Sequence, residues 1–175
     1  MSRRHPLPTI WLMTDERVGD LLGAIRRLPR GAGVVFRHYA TPAEERRRLW
    51  RAVRRVARSR GLVLVRAGAE KLPGEMGVHG RCGGGVRTWP AHDRHEALAG
   101  KRAGADALFV SPVFATRSHP GAAALGLRRA RAIGTGLGVP LIALGGMDAA
   151  RFRRLYGFAG WAGIDALAAR AKDVR

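Results

Sequence analysis

The sequence predicts a closed α/β barrel of eight parallel strands, and two observations carry that reading. Short apolar, β-branched runs alternate with stretches of helical periodicity along the whole chain. Several of these runs end in small or hydroxyl residues and lead directly into a helical pattern, as a barrel strand leads into its loop. The clearest pair is GADALFVSPVFATRS from Gly104 to Ser118 and VPLIALGGMD from Val139 to Asp148.

Taken in order, Ile10 to Thr14 reads as the first strand and Val18 to Leu28 as the first helix. Gly33 to Arg37 is the second strand, closing on Arg37, His38 and Tyr39. The next helix opens with Thr41 as N-cap, Pro42 at the first turn and Glu44 as capping-box acid; it runs to about Arg60, where Gly61 stops it. Leu62 to Arg66, Met76 to His79 and Val86 to Trp89 are the third, fourth and fifth strands. Connections of only about ten and six residues separate these three, where a parallel crossover normally needs a dozen or more. Asp93 and Glu96 open a helix that ends near Gly104. Three further pairs follow: Ala107 to Val110 with Leu125 to Leu137, Leu141 to Leu144 with Ala149 to Tyr156, and Gly160 to Ile164 with a last helix from Asp165. Eight strands favour closure over an open, doubly wound sheet. The chain has 175 residues, and such barrels typically run from about 200 to more than 400. The expectation is therefore a compact (β/α)8 TIM barrel with reduced helices after strands three and four. Residues 1–175 read as a single domain, and the thinly covered side leaves apolar surface for a second copy, a homo-oligomer.

Composition narrows the setting. A lone cysteine, Cys82, excludes an internal disulfide framework or a CxxC site and fits a reducing, cytoplasmic location. The apolar run Ile10 to Met13 is too short for a signal segment, and nothing in the sequence approaches a membrane span. The formal net charge is +19, from 29 Arg and three Lys against 13 acids. That arginine skew, with much Ala and Gly, is what GC-rich coding produces. The densest cluster is Arg46, Arg47, Arg48, Arg51, Arg54, Arg55 and Arg58; because Leu49, Val53 and Val56 recur at helical spacing, these arginines read as one solvated helix face. No interleaved aromatics accompany them, so nucleic acid is not the expected partner.

Over nearly its whole length the chain resembles the thiamine phosphate synthase and TenI family. SPVFATRSH from Ser111 is similar to the family's G-P-[VI]-[FY]-x-T-x-[ST]-K loop, and ALGGMD from Ala143 to its [AG]-[IL]-G-G-[IM] turn. Weaker echoes are IWLMTD at 10–15, VVFRHY at 34–39, GVHG at 77–80 and His92 with Asp93 and Glu96. The resemblance implies a transferase joining a hydroxymethylpyrimidine pyrophosphate to a thiazole phosphate, with phosphorylated small molecules as partners. Gly145 and Gly146 suit a resting phosphate because backbone N–H groups without Cβ atoms can approach it closely, and a following helix adds its positive end. Thr116 and Ser118 offer hydroxyls, and Arg37 a bidentate fork for pyrophosphate.

The family's pattern is not kept throughout. Its magnesium carboxylates after strands three and four have no counterpart in LVLVRAG and VHGRCGG, so no metal site and no cofactor are evident. Arg66 and Arg81 occupy these loops and offer charge without metal. Val35 and Tyr39 replace the family's Gln and Lys, Pro90 its loop-five Ser, and His119 its loop-six Lys; Asp165 stands where a phosphate-binding Ser is expected. His38, His79, His92 and His119 fall at the carboxyl ends of strands two, four, five and six. These imidazoles suggest a second reading, a TenI-like tautomerase using His acid–base chemistry, with His92 and His119 joining Arg37 as catalytic candidates. His38, Arg66, His79 and Arg81 are the further substrate-binding candidates. A third reading is a non-catalytic phosphate-ligand-binding barrel.

Overall fold

A computed structural model of the chain describes residues 6–116 and 123–168. Eight strands follow one another as neighbours and close on themselves: β1 (Ile10–Met13), β2 (Gly33–Phe36), β3 (Val63–Ala67), β4 (Gly77–His79), β5 (Val86–Ala91), β6 (Ala107–Val110), β7 (Leu141–Ala143) and β8 (Gly160–Gly163). Every pair is parallel, including β1 with β8, so the open-sheet alternative is excluded. The helices are α1 (Leu21–Arg27), α2 (Ala43–Arg60), α3 (Arg94–Arg102), α4 (Gly126–Gly134), α5 (Ala149–Phe152) and α6 (Asp165–Ala168). No helix separates β3, β4 and β5, as the short connections require. Trp50 of α2 donates its indole N–H to the Pro73 carbonyl (3.0 Å), pinning the β3–β4 connection where a helix would lie. Among the described residues no helix is long and apolar enough to cross a membrane.

Alternation along each strand sorts side chains into two layers. Trp11, Met13, Val35, Val65, Ala67, Phe109, Ile142 and Ala162 form a cluster that fills the barrel. The opposite parity packs outward, with Leu12, Val34, Phe36 and Leu64 beneath α1 and α2, and Leu108 and Val110 beneath α3 and α4. Trp11 sets the interior's shape: it meets Phe109 edge-on at 5.4 Å, and its indole N–H donates to Pro8. It fits because Gly33, its register partner, has no side chain; a Cβ there would stand 2.0 Å from the indole ring.

Several boundaries differ from expectation for local reasons. Helix α1 starts at Leu21 because the Asp20 carboxylate caps it, accepting from Gly23 N–H at 2.9 Å. At α2 the expected capping box does not form: Pro42 is the N-cap, no side chain caps the helix, and the Thr41 hydroxyl reaches Glu16 instead. Its other end is as read, with Gly61 in the left-handed conformation at φ 63°. Strand β5 extends through Pro90 to Ala91, while α4 and α5 stop short of Leu137 and Tyr156. Arg46 does not belong to the solvated face. It is buried, and its guanidinium reaches back to the His38 and Ala67 carbonyls and to Glu70.

Candidate active site at the barrel mouth

The carboxyl ends of β1 and β2 are fastened together through Thr14. Its hydroxyl accepts the Arg37 backbone N–H (3.0 Å) and bonds the His38 Nδ1 (2.9 Å), while its carbonyl accepts Arg37 Nε (2.9 Å). Asp15, the next residue, is held by two guanidiniums, with Arg17 Nε at 2.7 Å and Arg37 Nη2 at 3.3 Å. The hydrogen bonds from Arg17 dominate and draw the Asp15 carboxyl down to about 2, against the partial burial that opposes them. Arg37 is thus placed at the mouth with one edge of its guanidinium committed to β1.

His38 follows with a positive φ of 28°, the one non-glycine residue in that region among those described. Its ring stacks on Phe36 at 4.8 Å, and burial lowers its pKa. Arg46 then buckles the β2 and β3 loops together, lying 5.2 Å from the centre of the Phe36 ring on the way to the carbonyls of His38 and Ala67. Across the barrel His79, the last residue of β4, bonds Thr88 Oγ1 through Nδ1 (2.8 Å) and meets the edge of Phe109. Burial, with repulsion from Arg37 second, pushes His79 down to about 4. Arg37 thus acts on both imidazoles, while His38, stacked on the outward-packing Phe36, makes neither a hydrogen bond nor a ring contact with His79.

A buried neutral imidazole has a pH signature. Because the folded pKa lies below the unfolded value near 6.5, the stability it permits is complete above that pH and declines as pH falls toward 4. Urea unfolding should show roughly 2 kcal/mol lost between pH 6.5 and 5. His79→Gln should flatten that interval; an unchanged slope would show that His79 is protonated without cost.

The other candidates lie elsewhere. Arg66 is corrected: it has the outward parity of Leu64, since Val65 and Ala67 face the barrel interior, and it bonds Glu75 and the Gly68 carbonyl. It is structural, not a substrate ligand. Arg81 lies on the β4–β5 connection, partly exposed. His92 is exposed beside the amino end of α3, and both its backbone N–H and its Nδ1 meet Glu96 Oε2 at 2.7 Å. Asp93 caps α3 by accepting from Glu96 N–H. Ser118 and His119 fall outside the described residues. Thr116 is half-buried on the β6–α4 loop and already engaged.

Loops six and seven are interlocked. Val113 N–H donates to Leu144 O (2.8 Å) and Phe114 N–H to Gly145 O (3.1 Å). Gly145 and Gly146 both have positive φ, 93° and 59°, and their own N–H groups have no acceptor among the described residues. Only glycine fits: a Cβ on Gly146 would lie 2.4 Å from the Ala115 carbonyl oxygen. Arg151, which sequence reading missed, bonds the Gly146 carbonyl and lies over the Phe114 ring. The expected contribution of the following helix is small, because α5 has four residues and Asp148 caps it.

Among the described residues no group of three His, Cys, Asp or Glu could hold a metal ion. The nearby carboxylates are committed to guanidiniums: Asp15 to Arg17 and Arg37, Glu70 to Arg46 and Arg47, Glu75 to Arg66.

Comparison with known proteins agrees with this anatomy. The TMP-TENI family model, described as thiamine monophosphate synthase, matches residues 88–168. A thiamine-phosphate synthase of Chloroflexus aurantiacus is 48% identical over 61 residues, 34% of this chain and 28% of that protein. One from Desulfitobacterium hafniense is 46% identical over 59 residues, 33% of this chain and 28% of the relative. The matched stretch thus spans little more than a quarter of these relatives. The structure of thiamine phosphate pyrophosphorylase from Pyrococcus furiosus superposes with a TM-score of 0.77 at 22% identity, covering 94% of this chain and 89% of that one, which shows a shared fold. Residues 88–168, from β5 to β8, are thus similar in sequence to thiamine monophosphate synthases, and the fold is shared with a thiamine phosphate pyrophosphorylase along nearly the whole barrel.

Proposed function

We propose that the chain is a cytoplasmic transferase of the thiamine phosphate synthase type. The observation that carries this is the Gly145–Gly146 turn, whose two N–H groups have no acceptor among the described residues and lie in the part of the chain that matches the family. In this reading the turn holds the thiazole phosphate. Arg37 faces the pyrophosphate and stabilises its charge as the bond to the pyrimidine methylene breaks. The thiazole nitrogen then forms the new C–N bond, and pyrophosphate leaves with the electron pair of the C–O bond.

Two of the four imidazoles, His38 and His79, are poorly suited to the tautomerase alternative. Proton shuttling works best with a pKa near the operating pH, and burial moves both His38 and His79 downward, His79 to about 4. Because the carboxylates at the mouth are tied to arginines, we further propose that guanidinium charge, not a metal, meets the pyrophosphate.

Incubation with the pyrimidine pyrophosphate and thiazole phosphate should yield thiamine phosphate, read by oxidation to its fluorescent thiochrome. The yield should change by less than about threefold, a free-energy difference below 1 kcal/mol, between excess EDTA and millimolar magnesium. No product under either condition overturns the synthase reading. Product only with magnesium keeps the synthase reading but overturns the metal-free part.

A further inference from the structure

The outer face of α2 carries a feature that transferase chemistry at the mouth does not use. Arg48, Arg51, Arg54, Arg55 and Arg58 line one hollow of about 390 Å³. At about 100° and 1.5 Å per residue they lie within roughly 120° of the helix circumference and span about 15 Å. None of the five forms an ion pair among the described residues; Glu70, the acid that reaches α2 from the β3–β4 connection, is taken by Arg46 and Arg47. Five like charges around one hollow repel one another, so this face gains from a bound polyanion.

We propose that this face docks the phosphate backbone of double-stranded nucleic acid without reading its sequence. A duplex presents one charge per roughly 1.7 Å of axis over its two strands, so a 15 Å length carries about nine phosphates and the side that meets the helix about half of them, comparable with the five guanidiniums. The helix is rigidly mounted: Trp50, Val53 and Ala57 on its other face are buried against the barrel. That mounting disfavours a membrane surface, because the helix has no apolar face left to insert into lipid. Single strands are disfavoured as well. The large exposed aromatics, Tyr39 and Tyr156, lie outside α2, leaving no stacking platform beside the arginines. The site is separate from the barrel mouth and does not depend on the proposed transferase activity.

Fluorescence anisotropy of the full chain with a labelled 20-base-pair duplex of arbitrary sequence tests the proposal. Five phosphate contacts give a slope of log K against log salt near −4.5, so affinity should fall about 500-fold between 50 and 200 mM NaCl. Arg51→Gln/Arg55→Gln should reduce that loss to about 40-fold, and Arg58→Gln alone should lower the slope by about one. The control Arg128→Gln/Arg129→Gln removes two exposed arginines from α4 with the same change in net charge and should leave the slope unaltered. All five side chains are at least partly exposed, and circular dichroism checks that the variants remain folded. The proposal is overturned by absence of binding at 50 mM salt, or by equal slopes for the α2 and α4 double variants. It is equally overturned if phosphatidylserine vesicles, and not the duplex, bind in an α2-dependent manner.

Discussion

Arg37→Ala is expected to lower kcat/KM for the pyrimidine pyrophosphate by roughly 10²- to 10³-fold, the usual cost of removing a charged donor aimed at developing negative charge. Arg37 sits at the mouth end of β2, fixed by its Nε bond to the Thr14 carbonyl and its contact with Asp15. Arg37→Lys keeps the charge but loses the fork and the tie to Thr14, so it should recover only part of the activity. Two readouts separate a substrate contact from a structural role. Competitive inhibition by free pyrophosphate should weaken in parallel with kcat/KM, and His79 should titrate at a higher pH, because Arg37 is one of the two influences holding it down. Unchanged pyrophosphate affinity in a folded Arg37→Ala protein would remove Arg37 from the site.

Gly146→Ala should destabilise the fold by about 3 kcal/mol, combining the strain of a left-handed non-glycine residue with a backbone clash. The clash is with the Ala115 carbonyl, 2.4 Å from the added Cβ, so relief requires loop six to move away from loop seven. Gly136→Ala is the internal control. It has a similar positive φ of 72° but open space around the new Cβ, so only the conformational cost of about 1 kcal/mol applies. Thermal unfolding should separate the two by several degrees, since each kcal/mol shifts Tm by roughly 2–4 °C at this chain length. Equal Tm values would show that the two loops are not interlocked as described. Thiazole phosphate affinity should also fall for Gly146→Ala and stay level for Gly136→Ala.

The candidate site was legible in the sequence unevenly. The glycine turn and Arg37 could be read because their residue types sit at strand ends, a position fixed by local pattern. Arg66 was misassigned although strand parity could have corrected it: with Val65 and Ala67 inside the barrel, the residue between them must point out. The roles of Thr14, Asp15 and Arg46 could not be read at all. Apart from the Asp15–Arg17 pair, their partners lie 8 to 24 residues away in the chain and meet only when β1, β2 and β3 are aligned.

The sequence by itself determined the alternation of strands and helices, the two missing helices, the capping of α3 by Asp93 and the glycines of loop seven. Each depends on residues within one turn or one strand of one another, where backbone sterics and hydrophobic period decide the outcome. Tertiary structure decided which charges remain open. Closing the barrel draws Asp15, Glu70 and Glu75 onto specific arginines and buries Arg46, while Arg48, Arg51, Arg54, Arg55 and Arg58 stay on the outer face of α2 without a carboxylate partner among the described residues. The physical reason is distance: an ion pair forms only where the fold brings opposite charges within a few ångströms, and composition cannot say which arginines will be so placed.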